Sequence, residues 1–130
     1  MAEITINING QYVSKSSKNA GTMGESESCI LKFVFDESWN GYAKRVIWRD
    51  AKGENEKRIL LVPEIAQSTD VYYSHIPAQV MKVSGWCSFS IEGYYETNPS
   101  QVMKSAADYL FVSYSYGPEN ETELTENEAM

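Results

Sequence analysis

The sequence is poor in the residues that most often build catalytic and metal centres. It contains one histidine, His75, and two cysteines, Cys29 and Cys87, among 130 residues. A lone histidine has no second imidazole with which to share a metal, and a structural role is far more common for it. The sequence also has no glycine-rich phosphate loop and no serine or cysteine nucleophile beside a base. We therefore expect no enzyme, no cofactor and no metal site.

Basic side chains are scarce as well. The chain has 11 lysines and arginines against 18 acidic residues, and its net charge is −7. Residues 117–130 contain five glutamates and no basic residue, which leaves −2 for residues 1–116. Without a cluster of cations to meet phosphates, nucleic-acid binding is not expected. No apolar run approaches the roughly 18 residues that cross a bilayer. Because the first residues alternate and include Glu3, we do not expect them to be a signal peptide.

Seven segments are predicted as strands, several of them because apolar and polar residues alternate with the period of two that is typical of strands. They are residues 3–9, 29–35, 45–49, 57–62, 71–75, 86–93 and 107–116. Short strands with polar turns predict one antiparallel β-sandwich or barrel over residues 1–116. Pro77 and Gly85 bracket one short helix. Residues 14–28 are predicted as a long loop, and residues 117–130 as an acidic disordered tail.

The second and third strands are predicted to form a hairpin, because Asn40 and Gly41 between them suit a tight turn. Cys29 and Cys87 lie in apolar alternations, where a buried free thiol is favoured and a bridge between facing sheets is the alternative. Asp36 and Asp50 could in principle act as a carboxylate pair. A solvated turn is the favoured interpretation of these acidic residues.

The aromatic residues divide into two groups. Trp48 and Trp86 lie within strand alternations, so we expect them in the core. Four others are expected at exposed turns: Trp39, Tyr42, Tyr94 and Tyr95. An exposed aromatic cluster more often marks a protein interface than a carbohydrate site, but both interpretations stay open.

A run of short motifs between Glu25 and Tyr116 resembles a known family. In chain order, they are Trp39-x-Gly41-Tyr42-x-Lys44, the strand aromatic Trp48, Ile76-Pro77, Gly85 and Gly93. This order is similar to that in the N-terminal domain of upper baseplate proteins and related tail or head-fibre components from phages and prophages of Gram-positive bacteria. The resemblance implies an immunoglobulin-like β-sandwich that attaches a host-recognition device to the virion. Proteins of this family usually continue into a linker, a helix and further domains.

From these observations we expect a structural virion protein that acts by protein–protein assembly. It would be assembled in the bacterial cytoplasm, bind other phage structural proteins and form a homo-oligomer through exposed sheet edges and turn aromatics. The alternative hypothesis is a carbohydrate-binding module that uses the turn aromatics on a host-surface glycan. An enzyme with Asp36 and Asp50 is the third and weakest hypothesis.

Overall fold

The structure, a computed structural model, describes residues 2–63, 70–98 and 100–115. These residues form ten strands and one short α-helix. In chain order the strands are β1 Ala2–Asn9, β2 Tyr12–Lys15, β3 Asn19–Thr22, β4 Cys29–Phe35, β5 Ala43–Arg49, β6 Lys57–Leu60, β7 Val71–His75, β8 Gly85–Tyr94, β9 Val102–Lys104 and β10 Asp108–Ser113. The helix α1 is Ala78–Met81. The predicted 117–130 tail lies outside the described residues.

The strands form two sheets that pack face to face. The first sheet has the order β2-β1-β4-β7, and the second has the order β3-β10-β8-β5-β6, with β9 paired to β8. Most neighbours are antiparallel, but β1 with β4 and β3 with β10 are parallel. The predicted all-β sandwich with one short helix is confirmed, although its sheets are mixed and it has more strands than expected.

The core lies between the sheets and is built from alternate residues of the central strands. The largest completely buried side chains are Trp39, Trp48, Phe33, Phe89, Ile4, Ile6, Ile8, Leu31, Ile91, Leu110, Val46 and Val80. Because successive side chains of a strand point to opposite faces, the other face of each of these strands is directed toward solvent. Burying a large apolar side chain contributes about 1.5–3 kcal/mol, so this shared interior stabilises both sheets.

The predicted hairpin is wrong. β4 pairs with β1 and β7 in the first sheet, whereas β5 pairs with β6 and β8 in the second. The chain crosses between the sheets through a 3-10 turn at Glu37–Trp39. Gly41 has the positive φ of +84° that the turn prediction required. The turn therefore exists, but it joins two layers and not two hydrogen-bonded neighbours.

Two segments predicted as connections contain short strands. Residues 14–28 include the end of β2 and all of β3, and β3 is an edge strand beside β10. Residues 96–105 include β9, which pairs with the end of β8. The helix after Pro77 is present but ends at Met81, and Gly85 is the first residue of β8. In the part of the chain that the structure describes, no helix has the length and apolar character to cross a membrane.

Candidate functional site

Trp39, predicted at an exposed turn, is completely buried at one end of the sandwich. Its indole Nε1 donates a hydrogen bond to the carbonyl of Gly10 at 2.8 Å, and its ring contacts Phe35 with centroids 5.3 Å apart. It therefore joins the β1–β2 turn to the crossing between the sheets. Its exposed fraction is 0%, so Trp39 cannot belong to an interface or a sugar platform.

Two of the predicted turn aromatics, Tyr42 and Tyr95, do meet. Their rings are stacked, with centroids 4.4 Å apart and planes inclined by 13°. The pKa of Tyr42 is raised, mainly by a hydrogen bond with the Tyr95 side chain. The stacked pair forms one wall of an open cleft of about 370 Å³, which we call the tyrosine cleft. Its lining residues are Gly41, Tyr42, Ala43, Lys44, Tyr72, Tyr95, Glu96 and Thr97.

Tyr94 lies apart from this pair, on the outer face of the second sheet. The guanidinium carbon of Arg45 is 4.9 Å from the centroid of the Tyr94 ring, a cation–π distance. The four residues predicted as one surface therefore occupy three places. Only Tyr42 and Tyr95 share a cleft.

Lys44 is a buried lysine at the floor of the tyrosine cleft. Its Nζ donates to the carbonyl of Tyr42 at 2.9 Å and to the hydroxyl of Tyr72 at 3.3 Å. The same nitrogen lies 5.3 Å from the ring centroid of Phe35 and 5.1 Å from that of Tyr72. Burial lowers the pKa of Lys44, because a low-dielectric environment disfavours the charged form. The cleft therefore combines flat aromatic rings with hydrogen-bonding groups.

The two carboxylates of the enzyme hypothesis accept hydrogen bonds from groups in turns. Asp36 Oδ2 accepts from the amide of Gly10 at 3.0 Å, and Oδ1 accepts from the hydroxyl of Ser38 at 2.5 Å. Asp50 is 2% exposed and accepts from the amides of Lys52 and Glu54 at 3.0 and 2.9 Å. Burial by itself would raise the pKa of Asp50, but these turn hydrogen bonds outweigh it and lower the pKa. Asp36 is thus engaged by the β1–β2 turn and by Ser38, and Asp50 is engaged by its own turn.

His75 and the cysteines also have structural surroundings. His75 Nδ1 lies 3.2 Å from the carbonyl oxygen of Cys29, across the β4–β7 pair. Cys29 and Cys87 are free and buried, so the favoured prediction for them is confirmed. Burial raises the pKa of the Cys87 thiol to about 11.

An aromatic patch that the sequence analysis missed lies on the outer face of β8 and β10. It consists of Trp86, Tyr109 and Phe111. Trp86 and Phe111 are directly opposite each other in register, and their ring centroids are 5.1 Å apart. Trp86 is 49% exposed and Tyr109 is 50% exposed, so the prediction of Trp86 in the core is wrong. The signal was available, because Cys87, Phe89 and Ile91 take the inward face of the same strand.

Beside the aromatic patch, the outer face of β5, β6, β8 and β9 carries a charged network. Glu92 is at its centre and accepts from Arg45 Nε at 2.6 Å. Arg58 and Lys104 each lie 3.6 Å from the Glu92 carboxylate. Burial of Glu92 would raise its pKa, but the hydrogen bond and charge of Arg45, with the charges of Lys104 and Arg58, outweigh it and lower the pKa. These ion pairs hold the charged side chains in place on this part of the sheet surface.

The fold is similar to that of a known phage domain. No protein-family profile matches the chain, and no curated protein matches it by sequence. Among solved structures, the N-terminal domain of phage TP901-1 ORF48 superposes with a TM-score of 0.59 and 7% sequence identity. The match covers 87% of this chain and 99% of that domain. At this identity the likeness shows a shared fold.

Proposed function

We propose that the chain is a structural component of a phage or prophage particle, a tail, baseplate or fibre-attachment protein that acts by protein–protein assembly. The observation that carries this proposal is the superposition with nearly the whole of a phage N-terminal domain. The motif order from Trp39 to Gly93 independently resembles the same class of phage proteins. Its partners would be other phage structural proteins, and its location would be the virion, after assembly in the bacterial cytoplasm.

The surface of the second sheet supports an assembly role. Trp86 and Tyr109 leave about half of their side chains exposed next to Phe111. Aromatic side chains are enriched at protein interfaces, because they bury a large area with few rotatable bonds. Among the described residues, β3 and β6 are the edge strands of this sheet, and an edge strand leaves backbone groups available for pairing. We infer that the aromatic patch is the main contact between copies of the chain or with a neighbouring particle protein.

The assembly role is tested by expressing the full chain in cells that carry the phage or prophage and analysing purified particles by mass spectrometry. We expect the chain in the particles, and we expect Trp86→Ser to reduce its incorporation at least tenfold. Tyr12→Ser is the matched control, because Tyr12 is 82% exposed on an edge strand of the other sheet. Absence of the chain from the particles would contradict the assembly role. Incorporation that is unchanged in Trp86→Ser would contradict the aromatic patch as the contact surface.

Carbohydrate binding in the tyrosine cleft is the second candidate function, and the stacked Tyr42–Tyr95 pair favours it. Flat aromatic faces can cover the C–H surface of a sugar, and Glu96 and Thr97 in the lining offer polar groups to its hydroxyls. A glycan array with the full chain tests this function. Binding should be lost in Tyr95→Ala and kept in Tyr12→Ala, and binding that survives Tyr95→Ala would remove the cleft as the site.

A further inference from the structure

The outer face of the second sheet contains a groove of about 270 Å³, which we call the basic groove. Its lining residues are Ile47, Arg49, Glu56, Arg58, Ser88, Phe89, Ser90, Lys104 and Ala107. It lies between the aromatic patch and the Glu92 network. Three of its side chains are cationic. The groove therefore carries positive charge, although the net charge of the chain is −7.

The positive charge of this surface is only partly balanced. Four cations surround two carboxylates: Arg45, Arg49, Arg58 and Lys104 pair with Glu56 and Glu92. The surface therefore has two positive charges in excess. The side chain of Arg49 is 57% exposed and that of Lys104 is 70% exposed. Their remaining N–H groups can reach a ligand from solvent.

The floor of the basic groove adds neutral groups. Ser88 and Ser90 point outward from β8, opposite Arg49 and Ile47 of β5. Within residues 2–63, 70–98 and 100–115, neither serine hydroxyl forms a hydrogen bond. Cations at the rim, hydroxyls on the floor and the apolar Ile47 together fit an acidic peptide that also carries an apolar side chain.

The chain contains such a peptide. We propose that residues 117–130, GPENETELTENEAM, dock in the basic groove of the same molecule. This segment has five glutamates, no basic residue and a single leucine, Leu124. Its carboxylates would meet the rim cations, and Leu124 would cover Ile47. The assignment does not depend on the proposed function.

The segment is long enough to reach the groove. The last paired residue of β10, Val112, lies opposite Gly85, and Gly85 is three residues along β8 from Ser88. At about 3.3 Å per residue and about 4.8 Å between strands, the groove is roughly 15 Å from the end of β10. An extended chain covers about 3.3–3.6 Å per residue, so Glu119 already reaches it. A short tether gives a millimolar effective concentration, which favours docking within one molecule.

Amide NMR of the full chain tests the docking directly. The variant has all five glutamates of residues 117–130 replaced by glutamine and is compared with the wild type at low salt. We expect shifts at amides of the basic groove, such as those of Ile47, Ser88 and Ser90. About 1 M NaCl should abolish the difference, because it shortens the screening length from about 10 Å at 0.1 M to about 3 Å. The control, Glu3→Gln with Glu37→Gln, should leave the groove amides unchanged.

Cancelling the excess charge of the groove gives a second test that keeps Glu92 and its cationic partners in the sequence. Ser88→Asp with Ser90→Asp adds two negative charges, which offset the two positive charges in excess. This variant should release the segment and erase the spectral difference between acidic and neutralised tails. Ser88→Asn with Ser90→Asn, which adds side chains of similar size without charge, should keep that difference. An acidic tail that still shifts the groove amides of the Asp variant would overturn the proposal.

Docking between two molecules is distinguished by mixing. Labelled protein with the neutralised tail receives an excess of unlabelled wild-type protein. Unchanged groove amides support docking within one molecule, and shifted groove amides overturn that assignment in favour of a bridge between copies. Shifts confined to another face, or no shifts in the first comparison, would overturn the docking itself.

Discussion

Gly93 faces the indole ring of Trp39 so closely that a β-carbon has no room there. A Cβ at Gly93 would lie 3.0 Å from Cζ3 of Trp39 and 3.1 Å from Cβ of Tyr42. Trp39 cannot retreat easily, because it is completely buried and its ring also contacts Phe35. The close approach therefore couples β8 to the crossing between the sheets.

Gly93→Ala is expected to lower the free energy of unfolding by about 1–3 kcal/mol, the usual cost of forcing an extra carbon into a packed core. Urea denaturation measures this difference. Ser90→Ala, on the outer face of the same strand, is the control and should stay within about 0.5 kcal/mol of the wild type. An unchanged midpoint for Gly93→Ala would show that Trp39 can move.

Glu92→Gln is expected to destabilise the protein by about 1–2 kcal/mol at neutral pH, because it breaks a buried ionic network. The pKa of Glu92 is lower in the folded state than in the unfolded chain. Its stabilisation is therefore present above the unfolded-state pKa of about 4.3 and is lost as the pH falls through the folded-state value. The difference between wild type and variant should shrink when denaturation is repeated in acid.

Glu56, an exposed carboxylate that shares Arg58 with Glu92, provides the comparison. Glu56 bonds to Arg49 and Arg58 at the surface, where water and salt screen ion pairs and they contribute little to stability. Glu56→Gln should therefore have a small effect that added salt removes. Equal losses of stability in Glu92→Gln and Glu56→Gln would show that the burial of Glu92 does not increase the contribution of its ion pairs.

Because of Lys44, the free energy of unfolding is expected to increase at alkaline pH. Its pKa is lowered by burial, so the folded state binds fewer protons than the unfolded state between the folded-state pKa and about 10.4. The free energy of unfolding of the wild type should rise across this window relative to Lys44→Met. Denaturation at a series of pH values measures the slope.

Lys44→Arg is the informative control for that experiment. A guanidinium stays charged throughout the window, so this variant should lack the increase and be less stable than the wild type at its upper end. If the free energy of unfolding of the wild type changes with pH in the same way as that of both variants, the pKa of Lys44 is not lowered in the folded state.

The two thiols are expected to be unreactive in the folded protein. Cys87 donates to the carbonyl of Leu110 at 3.3 Å, and its pKa of about 11 leaves very little thiolate at pH 8. A thiol reagent should modify two groups in denaturant without reductant and almost none under native conditions. Cys87→Ala should leave one reactive group in denaturant. Fast native labelling, or fewer than two groups in the unfolded wild type, would contradict this.

The central strands were largely predictable from the sequence because each has one apolar face, whereas the short strands β2, β3 and β9 have no such pattern and were missed. Ile4, Ile6 and Ile8 repeat at a period of two, and so do Leu31, Phe33 and Phe35. The partners of these strands were not predictable. β1 lies parallel to β4, and no local signal distinguishes a parallel neighbour from an antiparallel one. A turn with Asn40 and Gly41 is equally compatible with a hairpin and with a crossing between layers.

The candidate surface was only partly predictable for a related reason. The position of Tyr42 at a turn follows from its neighbours, but its stacking on Tyr95 depends on where β8 ends beside β5. Trp39 was misplaced because a turn residue was assumed to be exposed, whereas this turn folds over the open end of the core. The basic groove joins residues from four separate strands, so no single stretch of sequence contains it.

The pairing of β3 with β10 has a consequence for how the protein is made. Asn19–Thr22 emerge early from the ribosome, yet their partner is the last described strand. β3 therefore cannot join the second sheet until residues 108–113 have been synthesised, and it lacks this partner until then. Chains dominated by such distant pairings refold in roughly milliseconds to seconds. Nascent copies crowded on one messenger RNA would expose matching edges to each other.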